Sequence, residues 1–252
     1  MIKSQNSGAP AIDGAVAILD LLAQEPHPLQ LADICERTGL APASAHRILH
    51  SMLGHELVAI APGRRKTYLV GARVFQLSSA VLGRQPIVPH FHPIAEILRN
   101  EIHRTVLLGL PVGSQMVVVA KVDSPANFAF NAYVGRTMPI DLCAGGRAVL
   151  AALDPAYRLI LLRGAGILGP DEPLAGPRIV DIERAARLGY AVTSGEIQPG
   201  VGCIAAPVLN RSGMPVAAVS ACFPQDVLTA STARSYAKNI VQAARQLSSH
   251  IL

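Results

Sequence analysis

In the N-terminal part of the chain, apolar positions recur with helical spacing. Ile12, Ala15, Val16, Leu19 and Leu22 fall three and four residues apart, which predicts a first helix that Pro26 and Pro28 end. A short second helix over about 31–38 places Leu31, Ile34 and Cys35 on its inner side, and Gly39 stops it. Pro42 suits the first turn of a third helix, on which Ala45, Ile48, Leu49, Met52 and Leu53 form one apolar stripe. At about 100° per residue, Arg47 projects opposite that stripe. Ala43, His50 and Ser51 share its face, and His46 flanks it. "LVAI" and "TYLV" then surround "APGRRK", two short apolar runs about a Gly-containing turn, which predicts a β-hairpin with Arg64, Arg65 and Lys66 at its tip. Three helices and a basic hairpin make a winged helix-turn-helix, with the face of Arg47 left free for a DNA major groove.

The pattern changes after residue 70. A helical segment over about 71–82 serves as a connector, and the proline-rich "QPIVPHFHP" reads as a boundary followed by a helix from about Pro93 to Ile102. Strand-like runs follow in "TVLLGL", "MVVVAKV", "FAFNAYVG", "GYAVTSG", "CIAAPVL" and "PVAAVSAC", with hairpin turns at "VGS" and "NRSG". Helical patterns occupy "AGGRAVLAAL", "PAYRLILLR", "IVDIERAARLG" and about 228–252. The expected fold class is α+β: an N-terminal winged helix-turn-helix (1–70), a linker helix (71–86) and an antiparallel-sheet domain (87–252).

Charge sharpens the reading of the first domain. Between Arg37 and Arg73 stand six cations (Arg37, Arg47, Arg64, Arg65, Lys66 and Arg73) against Glu56 alone, while the rest of the chain is near balance. Such a cluster is the footprint of a phosphate-binding surface, although a solvated basic face has the same composition. Half the residues are hydrophobic and 15% are charged, which excludes a disordered chain. The absence of Trp argues against large stacking platforms. No apolar run reaches the ~18 residues of a membrane span, and no secretory leader is evident. Cys35, Cys143, Cys203 and Cys222 form no CxxC, which fits reduced thiols and a cytoplasmic location.

Helix two, "TGL", "HRIL", the hairpin and "YLVG" together resemble the IclR family of bacterial transcriptional regulators. "KVDSP", "VGRTMPIDLCAGGRAVLA", "RLGYAVTSGEIQPGVGCIAAPV" and "GMPVAAVSA" resemble that family's effector-binding domain, a GAF-like fold. The resemblance covers about 11–252. It implies a homodimer or homotetramer on a palindromic operator in double-stranded DNA. It also implies a small-molecule effector, often a small carboxylate or aromatic acid. Control of a metabolic or catabolic operon is expected, by repression in preference to activation, with the sign of the effector's action left open by the sequence. The chain departs from the family pattern at Gly14, where an Arg is usual, and at Ala41-Pro42-Ala43-Ser44, where Pro-Lys-Ser-Thr is usual. DNA contacts are therefore expected from Ser44, His46, Arg47, His50, Arg64, Arg65 and Lys66. Arg47 is a candidate for bidentate guanine readout, or for a phosphate contact.

In the second domain, Cys143-Ala144-Gly145-Gly146-Arg147 opens a helix whose backbone N–H groups could hold a carboxylate near Ala144 and Gly145; packing could equally require the two glycines. By family position, Cys143, Thr193, Cys203, Ser220 and Cys222 should also line the effector cavity. Thr193 and Ser194 stand where the family often carries acidic residues, a loss of negative charge that suits an anion. No cofactor, metal or membrane partner is expected. "GAGILG" lacks the strand–turn–helix context of a dinucleotide loop, and His90 and His92 lack further ligands and fit a loop at the domain boundary. Two other readings remain: a redox-sensing regulator built on Cys143, Cys203 and Cys222, and a hydrolase with Cys143 as nucleophile. The chain is expected not to be an enzyme.

Overall fold

The computed structural model describes residues 8–83, 87–124, 132–169, 172 and 176–251. The chain forms two compact units that divide between Gln85 and Pro86.

In the first unit, α1 (Pro10–Gln24), α2 (Leu31–Thr38) and α3 (Pro42–Gly54) pack around Ile18, Leu22, Ile34, Leu49 and Met52. Gly39 adopts φ 73° and donates its N–H to Cys35 O, ending α2 in the left-handed cap that glycine permits. Pro42 occupies the first turn of α3. Of the three residues expected inside α2, Ile34 is buried, whereas Leu31 and Cys35 stay partly exposed because the helix spans only two turns. β1 (Val58–Ile60) and β2 (Tyr68–Val70) pair antiparallel, Val58 opposite Val70. The segment before α2 adds to this hairpin: Leu29 and Tyr68 exchange both backbone hydrogen bonds, at 3.0 and 2.7 Å. Tyr68 is thereby buried in the core beside Val58. α4 (Ala72–Leu82) follows and belongs to the same unit.

The second unit is built on one antiparallel sheet in the order β5-β4-β3-β8-β7-β6. Its strands are β3 (Val106–Val112), β4 (Gln115–Val122), β5 (Thr137–Pro139), β6 (Ala191–Ser194), β7 (Val201–Leu209) and β8 (Pro215–Pro224). α5 (Ile87–Ile102) and α9 (Ala230–Ser248) cover one face over Val106, Leu108, Ile204, Ala206, Val219 and Phe223. α6 (Ala144–Ala152), α7 (Pro155–Gly164) and α8 (Pro177–Leu188) lie on the other side, around Ile140, Val149, Leu150, Leu162 and Ile182.

Several expectations need correction. α5 starts at Ile87, not Pro93. Pro89 falls in its first turn, where the missing N–H costs nothing, and Ile87, Phe91 and Ala95 carry the buried stripe across Pro93. His90 and His92 are thus helical rather than in a loop, and His90 stacks on His250 with ring centroids 4.6 Å apart. "FAFNAYVG" yields no strand over 132–135, its remainder lying outside the described residues, and the short strand β5 forms just after it. In "GAGILG", Gly164 closes α7 and Gly166 turns the chain at φ 67°, with no helix start beneath them.

Candidate functional site

Two surfaces carry the residues singled out in the sequence. On α3, Ala45, Leu49 and Met52 are buried, while His46, Arg47 and His50 are exposed and Ser44 is half-buried. One face therefore docks the helix and the opposite face meets solvent. Arg64, Arg65 and Lys66 are exposed in the turn between β1 and β2, and the Lys66 ammonium stands 5.6 Å from the centre of the Tyr68 ring. Arg47, Arg64 and Arg65 pair with no described residue. Arg37 behaves differently: its guanidinium is 2.5 Å from the Glu25 carboxylate, tying α2 to the end of α1. That hydrogen bond holds the Glu25 carboxyl below its ordinary range. One of the six cations in the basic segment is thus neutralised locally; of the other five, Arg47 sits on α3, Arg64, Arg65 and Lys66 in the wing turn, and Arg73 at the start of α4, where it donates to the neutral Gln76 side chain.

The second surface is a pocket between the sheet and the start of α6, with about 550 Å³ free of protein atoms when the open solvent at its mouth is included. Its floor is made by side chains of the central strands, among them Leu107, Met116, Val118, Cys203 and Ser220. Cys143, Ala144 and Gly145 form one wall, and Ile197 and Gln198 of the loop between β6 and β7 form another. Among the described residues, no Asp, Glu, Lys or Arg lines it.

The local sequence explains the wall. Cys143 caps α6, its Sγ accepting the Gly146 N–H at 3.3 Å. The N–H groups of Ala144 and Gly145 belong to the helical first turn, which has no intrahelical acceptors. They sit at the positive end of the helix dipole, beside a space that no described carboxylate lines. Gly145 needs no special conformation. A Cβ there would meet Ala218 Cβ at 3.5 Å and Met116 Cε at 3.6 Å, ordinary contacts at the cavity edge. Burial pushes the Cys143 thiol up to about 12, so it stays neutral at physiological pH.

Of the residues expected at this site, Cys143, Ala144, Gly145, Thr193, Cys203 and Ser220 are brought together around the cavity. Cys222 lies beyond the lining residues. It stands directly across from Cys203 in the β7–β8 register, their Sγ atoms 3.4 Å apart, and packs with Leu107, Val118 and Val201. The hydrogen bond with Cys203, and then burial, raise its thiol well above the ordinary value. Ser220 and Cys222 belong to a strand buried on both faces, so their alternation did not reveal which of them meets the cavity.

Sequence reasoning missed Met116, Met138, Ile197 and Gln198, which read as ordinary core or loop residues. It also missed the role of Arg147. This arginine is 2% exposed. Its Nε donates to Asp141 O at 2.9 Å, and its Nη1 meets Asp181 Oδ2 at 3.1 Å and Glu196 Oε1 at 2.9 Å. A single cation inside the otherwise apolar "AGGRAVLAAL" was the available signal.

Comparison with known proteins places both surfaces in context. A family profile described as bacterial transcriptional regulator IclR C-terminal matches residues 79–249, and one described as IclR helix-turn-helix domain matches residues 11–59. The HTH-type transcriptional regulator BhcR of Paracoccus denitrificans is 26% identical over 246 residues, covering 96% of this chain and 88% of BhcR. The HTH-type transcriptional repressor AllR of Escherichia coli is 24% identical over 244 residues, covering 96% and 90%. The crystal structure of an IclR homolog complexed with 4-hydroxybenzoate, from Microbacterium hydrocarbonoxydans, shares the fold with a TM-score of 0.70 at 19% identity, covering 95% of this chain and 98% of the other.

Proposed function

The chain belongs to the IclR family of bacterial transcriptional regulators, and we propose that it is a homo-oligomeric repressor of a metabolic or catabolic operon, relieved by a small carboxylate or aromatic acid. A DNA-binding helix-turn-helix and an effector-binding domain come with the family. The operator, the effector and the direction of control are our reading.

The observation that carries it is the cavity. An apolar pocket lined by no described charged side chain, and walled by a helix N-terminus, favours a ligand with one anionic end and an apolar body. The hydroxyl groups of Thr193 and Ser220 and the amide of Gln198 supply polar contacts beyond the carboxylate. The 4-hydroxybenzoate bound to the Microbacterium homolog is a molecule of this kind. Repression follows the name of AllR. On the DNA side, Ser44, His46, Arg47 and His50 would face the major groove, and Arg64, Arg65 and Lys66 the flanking phosphates. The exposed apolar residues Phe75, Leu77 and Val81 of α4 support self-association. Control requires that the effector bind one spacing of two recognition helices more tightly than another.

The test is fluorescence anisotropy on labelled DNA from upstream of this protein's own gene and on a scrambled duplex, with and without 4-hydroxybenzoate and other small acids. A specificity ratio of about 10³ or more that an acid lowers supports the reading. Equal binding to both duplexes at every salt concentration defeats it.

A second reading, in which Cys203 and Cys222 sense oxidants, has their 3.4 Å contact in its favour. Burial opposes it, because the reactive species is the thiolate.

A further inference from the structure

The loop between β6 and β7 supplies Ile197 and Gln198 to the cavity wall, yet its own shape is set from behind. Gly195 and Gly200, at φ 94° and 79°, turn the chain at its two ends, conformations that non-glycine residues rarely hold. Between them, Glu196 points away from the cavity. One of its carboxylate oxygens accepts a hydrogen bond from Arg147 Nη1 at 2.9 Å, and the other accepts the Ser194 N–H. Gln225 ties the outer side of the loop, its Oε1 accepting the Gly200 N–H at 3.1 Å.

Arg147 is anchored independently of the loop, by Asp141 O and by Asp181 on α8. It also stands on α6 within one turn of Ala144 and Gly145, which form the opposite wall. One buried guanidinium thus joins the two walls of the cavity through a single charge-assisted contact to Glu196. Such contacts are about twice as strong as neutral ones; here the guanidinium is buried while the Glu196 side chain is 30% exposed.

We propose that Arg147 and Glu196 are positioning residues that latch the 195–200 loop over the cavity, so that the pair sets how long a ligand stays bound without touching it. This inference rests on the cavity being the effector site, but the latch itself can be tested without a ligand. Cys143 and Cys203 line the cavity, and Cys35 lies in the other unit as an internal control. The first measurement is iodoacetamide labelling of each cysteine at one fixed pH, followed by mass spectrometry, on the full-length wild type, Glu196→Ala, Glu196→Gln and Asp181→Asn.

Glu196→Ala is expected to raise the labelling rates of Cys143 and Cys203 about tenfold, as for loss of one charge-assisted hydrogen bond, and to leave Cys35 unchanged. Glu196→Gln, which keeps one acceptor oxygen, should give a smaller rise. Asp181→Asn removes Arg147's other carboxylate partner without freeing the loop, so it should label like wild type. Equal labelling of Glu196→Ala and wild type overturns the latch. So does an equal rise in Asp181→Asn, which would mean that Arg147 only holds the domain together. The second measurement is stopped-flow binding of 4-hydroxybenzoate, where the latch predicts faster dissociation in Glu196→Ala with little change in association. If labelling changes as expected and no small acid binds the wild type, the latch stands and the effector reading fails.

Discussion

Gly146 lies against the backbone carbonyl of Ile140, so close that a Cβ on Gly146 would stand 1.9 Å from that oxygen. Its neighbour Gly145 faces the cavity with ordinary room around it. The two glycines at the start of α6 therefore have different reasons to be there. Gly146→Ala is expected to destabilise the protein by about 3 kcal/mol or more, since backbone must move to admit the methyl group. Gly145→Ala should hold its stability within about 1 kcal/mol, helped by the better helix propensity of Ala, yet weaken ligand binding by filling the cavity edge. Urea unfolding midpoints of the two variants, with acid binding measured on Gly145→Ala, check both halves.

Arg47 and the wing cations should fail in different ways. Arg47→Ala is expected to cost about 1–3 kcal/mol of discrimination between operator and scrambled DNA if it reads a guanine. Replacing Arg64, Arg65 and Lys66 together should weaken both duplexes alike and flatten the log–log salt dependence by about 0.9 for each phosphate no longer neutralised. Anisotropy titrations across a salt series separate the two. A uniform weakening for Arg47→Ala would assign it to phosphate.

The Cys143 thiol predicts a loss of stability in base. Its ordinary value is 9.0, and burial raises it to about 12 in the folded protein. The unfolded chain therefore ionises first. The stability this group contributes is complete below pH 9 and is lost as pH rises towards 12, by at most about 1.4 kcal/mol per pH unit. Thermal melts between pH 8 and 11 should show a shallower decline for Cys143→Ala than for wild type. Cys222, shifted in the same direction, contributes a decline common to both.

Oxidant should leave DNA affinity unchanged. Cys143 and Cys222 are buried and held as neutral thiols, which react slowly with peroxide. Anisotropy on protein treated with hydrogen peroxide and on reduced protein is expected to give the same affinity. A difference that Cys203→Ser abolishes would favour the oxidant-sensing reading instead.

Local rules were sufficient where the local contribution is large, and they failed where burial outweighed it. The αL cap at Gly39, the N-terminal Pro42 and the apolar stripe of α3 were legible, because each depends on a few neighbouring residues. The start of α5 was not. Two prolines read as breaks, but burial of Ile87 and Phe91 in the sheet core outweighs the hydrogen bond that Pro93 cannot donate. The bridge from Leu29 to Tyr68 was hidden for a related reason. A pairing of isolated residues far apart in sequence leaves no periodicity to read.

By itself the sequence determined the helix-turn-helix face, the basic wing turn, most of the sheet strands and several of the cavity's lining residues, since spacing and residue type fix which side chains share a helix face or a strand. Only the tertiary structure decided that Arg37 is neutralised by Glu25, that Cys222 stands behind Cys203 rather than in the wall, and that Arg147 reaches Glu196 across 49 residues of chain. Each of these depends on which elements pack together, and for Arg147, desolvated on packing, a buried charge without a partner would be costly.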